Sequence, residues 1–260
     1  MRIVKFANPP LVEMVCGLLL EPMTSFQERE MALLWHAWHD SYPNLRTTAP
    51  TGRPSIPDVV PLVAEELPRP PVARAIMTNE NGDWTVTVDQ NRFTVNWVGK
   101  NGASYPGFDK VYRMLQRRFA QLKTILEEAG CEVRPVACEI HYVADVPLAD
   151  FAKGVSGIAQ LLPWIAWPMS APMDALSNFR WEAEMRPADM HGHLQVSVRT
   201  LAKDDEVRII RLETIARGPY VDGDERSEWF KVAHRHLVTA FMGLVSEDLQ
   251  TTKWGRHADD

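Results

Sequence analysis

Residues 84–129 constrain the fold of this chain more than any other stretch. Trp84-Thr-Val-Thr-Val and Arg92-Phe-Thr-Val-Asn-Trp97 both alternate apolar and polar positions with period two, the mark of half-buried strands. The short polar link Asp89-Gln-Asn91 joins them. Phe93, Val95 and Trp97 must share one face, so Asn96 points to the other. After a Gly-Lys-Asn-Gly turn, Tyr105-Pro106 leads into a helix expected over 109–129. Val111, Met114, Leu115, Phe119, Leu122, Ile125 and Leu126 form its i, i+3, i+4 stripe, and Gly130 closes it. Two strands and a helix laid on them specify a sheet covered on one side.

The rest of the chain extends that unit. Leu11–Leu20, bracketed by prolines, reads as a buried central strand with Glu13 as its odd residue. Ser25 with Glu28 forms a capping-box pattern ahead of a helix carrying Met31, Leu34, Trp35 and Trp38. Residues 43–71 hold eight of the 19 prolines and read as a long loop. Val72–Met77 resumes the sheet, and Val136–Val146 is a further strand with Glu139 near its start.

From there the pattern starts again. Leu161-Leu162-Pro163-Trp164-Ile165-Ala166-Trp167 parallels Leu33-Leu34-Trp35-His36-Ala37-Trp38, with one inserted proline. Three strands follow in 179–185, 193–201 and 207–216. A closing helix repeats Phe119-x-x-Leu122 as Phe241-x-x-Leu244. The expected fold is α+β: two diverged strand–helix–three-strand–helix units, 1–135 and 136–260, with antiparallel sheets covered by helices.

Charge and cysteines bound the function. The net charge of −6 divides evenly, −3 in residues 1–150 and −3 in 151–260, so no basic lobe exists for phosphates. Nucleic acid is therefore not an expected partner. One local basic patch, Arg113, Arg117, Arg118 and Lys123, crowds a single helix. Cys16, Cys131 and Cys138 form no Cys-x-x-Cys pair, which predicts a reduced, cytoplasmic protein without a disulfide scaffold or cysteine zinc site. Pro9, Pro10 and Glu13 interrupt any signal-like run, and the apolar stretch 158–169 is too short and proline-broken to span a bilayer.

Catalytic signatures are sparse. Gly154-Val-Ser-Gly157 lacks the spacing of a nucleophile elbow, and Gly99-Lys-Asn-Gly-Ala-Ser104 lacks the Gly-Lys-Ser/Thr order of a phosphate loop. His191-Gly-His193 straddles a hairpin turn. His234 shares its helix face with Phe230, Leu237, Val238 and Phe241, as a hydrogen-bonded core histidine does. Neither His191-Gly-His193 nor His234-Arg-His236 has a clear further ligand, so neither metal nor cofactor is expected. Glu13 and Glu139 sit among apolar neighbours at the start of two comparable strands, where a carboxylate needs a partner. If the units are two-fold related, these two either anchor polar networks or converge on a shared ligand site. The segment 161–173, with Trp164, Trp167 and Met169, is too apolar for a solvated loop. It either caps the core or meets a protein partner or a second copy.

With these residues in view, the chain resembles a sporadically distributed, uncharacterised prokaryotic family of about this length. The likeness rests on Asn8-Pro-Pro-Leu-Val-Glu13, Arg92-Phe-x-x-Asn-Trp97 with Tyr105-Pro106, and Glu139-x-x-Tyr-Val143. The helix around His234 with Phe241, and Trp254-Gly255, complete it. Family members have Asn after that Tyr-Val where this chain has Ala144, so no role of that Asn carries over. The family's patchy occurrence implies a defence or mobile-element setting and supplies no activity. The candidate ligand-binding residues are Glu13, Glu139, Asn96, Tyr142 and His234. The expected function is non-catalytic binding, with an enzyme or small-ligand sensor having its pocket between the units as the alternative.

Overall fold

The apolar run at 11–20 becomes the middle of one wide sheet. The computed structural model describes residues 4–50, 72–100, 103–148, 151, 155–165, 179–203 and 206–258. In chain order the elements begin with β1 (Val4–Phe6), β2 (Leu11–Leu20), α1 (Glu28–Trp38), β3 (Asn44–Thr48), β4 (Arg74–Thr78) and β5 (Trp84–Asp89). β6 (Arg92–Val98), α2 (Phe108–Glu128), β7 (Pro135–Pro147), α3 (Val155–Leu161) and β8 (Arg180–Met185) follow. The series ends with β9 (His193–Lys203), β10 (Glu206–Pro219), α4 (Gly223–Leu244), α5 (Glu247–Thr252) and β11 (Arg256–Ala258).

Nine strands form one antiparallel sheet in the order β3-β4-β5-β6-β2-β7-β10-β9-β8. β2 and β7 pair along its centre, and each is flanked by a meander running outward, β6-β5-β4 on one side and β10-β9-β8 on the other. β1 and β11 pair separately as a two-stranded ribbon. The protein is therefore α+β, with α2 packed on β6 and β2 and α4 on β10, β7 and β9. The domain boundary expected near 135 falls just before β7, and the sheet runs through it without a break.

Alternation along the strands divides the sheet into two chemically different faces. Met14, Cys16, Leu18, Phe93, Val95 and Trp97 point under the helices and meet Val111, Leu115, Phe119 and Leu122 of α2. A second cluster gathers Val198, Ile210 and Leu212 beneath Leu161, Leu162, Leu249 and Trp254. The opposite face carries Thr85, Thr87, Thr94, Asn96, Glu13, Glu139, His141, Glu213 and Arg217, as the registers require.

α2 ends in a Schellman motif. Gly130 adopts φ +82°, its N–H donates to Glu127 O at 3.0 Å, and Cys131 N–H donates to Leu126 O at 2.8 Å.

Four expectations need correction. The proline-rich stretch is not all loop, because Asn44–Thr48 forms the edge strand β3; residues 51–71 lie outside the described residues. The cap of α1 is set two residues later than Ser25/Glu28, with Gln27 N–H donating to the Glu30 carboxylate at 3.0 Å. Leu161-Leu162-Pro163-Trp164 is not a helix matching α1, since α3 stops at Leu161 and Pro163-Trp164 form a turn. Arg118 does not belong to a surface basic patch. It is buried, stacked 4.8 Å from the Tyr42 ring and bonded to Gln121 Oε1 at 2.9 Å. Its long stem suits it to that interior position while its planar head finds a ring.

Trp97 is 2% exposed and rests on Tyr105, ring centres 5.3 Å apart. Trp97→Ala is expected to lower stability by about 3–5 kcal/mol as a large-to-small core change, read by chemical denaturation. A loss under about 1 kcal/mol would assign Trp97 to the surface rather than the core.

Candidate functional site

The two long helices do not close over the sheet centre. Between the start of α2, the middle of α4 and the seam strands lies a cleft of about 730 Å³. Its floor is Leu11 of β2, Tyr142 and Ala144 of β7, and Leu212 and Thr214 of β10. One wall is Phe108, Asp109, Lys110 and Arg113 of α2; the other is Lys231, His234, Leu237, Val238 and Phe241 of α4. The spacing 231, 234, 238, 241 presents one stripe of α4 to the floor. α2 starts where it does because Gly107, at φ +88°, turns the chain sharply after Tyr105-Pro106.

The third wall is β1, which β11 pairs from behind as a two-stranded ribbon. Phe6 meets Phe241 edge-on at 5.9 Å and Trp254 at 6.5 Å, while Ala7 N–H donates to Gly255 O and Asn8 N–H to Trp254 O. Three aromatic rings and a short ladder thus hold the N-terminal arm against α4.

A chain of polar groups crosses the otherwise apolar floor. Tyr142 Oη lies 2.8 Å from His234 Nδ1 and 3.4 Å from Tyr105 Oη, and the Tyr105 hydroxyl donates to Met14 Sδ at 3.1 Å. Each phenol has one proton to give, so with Tyr105 donating to Met14 all three contacts are satisfied only when Tyr142 donates to Tyr105 and His234 Nδ1–H donates to Tyr142. Phe108 stacks on the imidazole at 4.3 Å, 5° from parallel. Burial lowers the His234 pKa to about 4, against a smaller opposing pull from Asp109. Burial likewise raises both tyrosine hydroxyls well above their ordinary range. At neutral pH all three groups are uncharged, and they form a fixed hydrogen-bonding array.

Of the five candidate ligand residues, the structure brings two together here, Tyr142 and His234. Glu13, Asn96 and Glu139 lie across the sheet, because alternation along β2, β6 and β7 sends them to the other face. Glu139, fully buried, accepts from Arg92 Nη2 on one side and from Arg217 Nε at 2.6 Å on the other. Burial alone would raise its pKa, but the two guanidiniums outweigh that and hold it below the usual carboxylate value. Glu13 accepts from Asn96 Nδ2 at 2.8 Å, and Asn96 Oδ1 accepts from the Thr94 hydroxyl at 2.9 Å. The two carboxylates share a face but stand opposite Gly17 and Val143, four positions apart along β7, or about 13 Å. They have separate partners, and no group of three His, Cys, Asp or Glu side chains suited to a metal occurs among the described residues.

Trp164 is 38% exposed, yet its indole N–H donates to Leu244 O at 2.8 Å and its ring lies 4.8 Å from that of Trp181. Its neighbours Leu161 and Leu162 are fully buried. Trp167 and Met169 lie outside the described residues. The three cysteines are all free and buried. No helix among the described residues is long and apolar enough to cross a membrane.

Sequence reasoning missed Arg92 and Arg217 as partners of Glu139, and Phe6, Lys110 and Lys231 as parts of the cleft. Strand register decides the first pair and helix placement the others, and neither can be read from local pattern.

Two consequences can be measured. His234 takes up a proton far less readily in the folded chain than in the unfolded one, so stability falls as pH drops from about 6.5 to about 4. Its share is on the order of 2 kcal/mol after allowing for partial exposure, and His234→Gln should flatten that part of the stability–pH curve. An unchanged slope would place the titration elsewhere. Glu139→Gln removes the single negative charge that Arg92 and Arg217 share, and an expected loss of about 3 kcal/mol or more in urea denaturation follows. Because the Glu139 pKa is depressed, its contribution persists above the ordinary carboxylate pKa and vanishes only in stronger acid.

No family model matches the chain, and no curated protein matches it. Among solved structures it is similar to DynU16, a protein of the dynemicin biosynthetic locus. The match covers 91% of this chain and 97% of that one at 12% identity, with a TM-score of 0.24, which supports no argument about fold or function.

Proposed function

We propose that this is a cytosolic, non-catalytic binding protein whose ligand is a small molecule seated in the cleft between α2 and α4. The observation that carries the reading is the cleft itself. About 730 Å³ of space with an apolar floor and a few convergent polar groups fits the usual make-up of small-molecule sites. The Tyr142–His234 pair supports binding over proton transfer, since burial keeps both groups neutral across the physiological range. The site also lies above the β2–β7 seam, where two duplicated units would meet, and such junctions favour ligand sites. The defence or mobile-element setting rests on the sequence resemblance alone. A partner surface at Trp164 has less behind it, because that indole is already engaged by Leu244 and Trp181.

The test is binding of a neutral apolar fluorophore, N-phenyl-1-naphthylamine. Wild-type protein should enhance its emission saturably at one site. Val238→Trp, which fills the cleft from the partly exposed wall of α4, should weaken binding at least about tenfold while circular dichroism stays native. Absence of saturable binding to wild type, or binding indifferent to Val238→Trp, would overturn the reading.

A further inference from the structure

The charge around the cleft runs against the charge of the protein. The chain carries a net −6. Yet the charged side chains bordering the cleft are Lys5, Lys110, Arg113 and Lys231, with Asp109 as the lone carboxylate. Lys110 and Lys231 are only slightly engaged. Lys110 Nζ lies 5.9 Å from the Trp84 ring centre, and Lys231 is 3.8 Å from Glu228 with both side chains over 60% exposed. Arg113 has no ion-pair partner among the described residues, although it stands on an acidic protein. A local surplus of cations on such a background concentrates positive potential where a ligand would enter.

Those charges also have a direction. Phe108 stacks on His234, and one turn further along α2 Tyr112 meets Phe230 at 4.6 Å, so the two helices run antiparallel here. Arg113 follows Tyr112 and Lys231 follows Phe230, which places both cations toward the same end of the cleft. Phe241 lies ten residues beyond Lys231 on α4, about 15 Å away. There it packs against Phe6 and Trp254. Between the two ends the lining is Leu237 and Val238 above, with Ala144 and Leu212 below. Tyr142, Thr214 and His234 are the uncharged polar side chains of the lining there.

We infer that the cleft takes an amphipathic anion. Its head is held by Arg113 and Lys231, and an apolar body on the order of ten to twelve carbons long reaches the Phe6–Phe241 end. The inference rests on the small-molecule reading above and adds the chemical class and the orientation. A carboxylate and a phosphate monoester would satisfy the head site alike, and the comparison below separates them.

The experiment displaces bound N-phenyl-1-naphthylamine with dodecanoate, dodecyl phosphate, dodecanol and dodecyltrimethylammonium, each below its micelle concentration. One or both anions should compete at least about tenfold better than dodecanol and the cation, with the better anion naming the head. That advantage should shrink in 1 M salt, as expected for charges exposed at the rim. In the double variant Arg113→Glu/Lys231→Glu the anions should compete no better than dodecanol, a ratio read within that variant. Equal competition by anions and dodecanol in wild type overturns the inference, and the small-molecule reading survives it. An anion preference that persists in the double variant overturns the placement of the head. Failure of the fluorophore itself to bind wild type overturns the small-molecule reading instead. Loss of fluorophore binding in the double variant would show that Arg113 and Lys231 hold more than a head group, against the inference.

Discussion

The junction of β2 with β7 is the constraint on which everything else depends. Four strands, β6, β2, β7 and β10, are tied there by one carboxylate. Arg92 reaches from β6 across β2 to Glu139 on β7, and Arg217 closes on the same carboxylate from β10. β2 permits the crossing because Gly17 stands directly opposite Glu139 and has no side chain to block it. A Cβ at Gly17 would lie 2.9 Å from Thr94 Cγ2 and 3.3 Å from Phe93 O. Asp145 adds a further tie across β7 and β10, accepting from Arg211 Nε and Nη2 at 2.7 Å each. Ion pairs of this kind add modest net stability, but removing one member leaves an uncompensated charge, so they make alternative registers expensive. A one-residue slip of β7 against β2 would send Glu139 beneath the helices, away from both arginines.

Fixed register is what gives the sheet its division of labour. Polar residues are confined to one face and the helix-facing side is left almost wholly apolar. On that side the floor groups Tyr105, Tyr142 and His234 are exceptions, and they satisfy each other. The cleft exists because α2 and α4 belong to opposite flanks of the seam and approach one another through Phe108–His234 and Tyr112–Phe230, leaving a space between them that Leu212 and Ala144 line.

Much of this was legible in the sequence, and the limits have physical causes. β5, β6 and α2 follow from the period of their apolar residues, and β2 and β7 from long apolar runs that prolines punctuate. Edge strand β3 was hidden, since Asn44–Thr47 are all exposed and an edge strand in water needs no apolar alternation. Arg118 looked like surface because a guanidinium usually is, and only the presence of Tyr42 and Trp38 above it reveals otherwise. Of the candidate site, His234 stood out from its helix face and Tyr142 from the Glu139-x-x-Tyr-Val143 likeness. Their separation from Glu13, Asn96 and Glu139 is a matter of which way a strand side chain points relative to a helix packed from afar. Local pattern gives the alternation but does not say which face the helices will take.

The ribbon of β1 and β11 shares no ladder with the nine-stranded sheet. It can therefore open without breaking any hydrogen bond of that sheet, and the wall of the cleft that carries Phe6 has a stability of its own. Three residue pairs and the contacts among Phe6, Phe241 and Trp254 set it. Local opening of so small a unit lies far below the free energy of global unfolding. Any molecule resting on Phe6 draws the ribbon shut by mass action, by a factor that grows with its concentration over its dissociation constant. Protease resistance at residues 4–8 and 254–258 would then register occupancy of the cleft, while the sheet beneath stays the same.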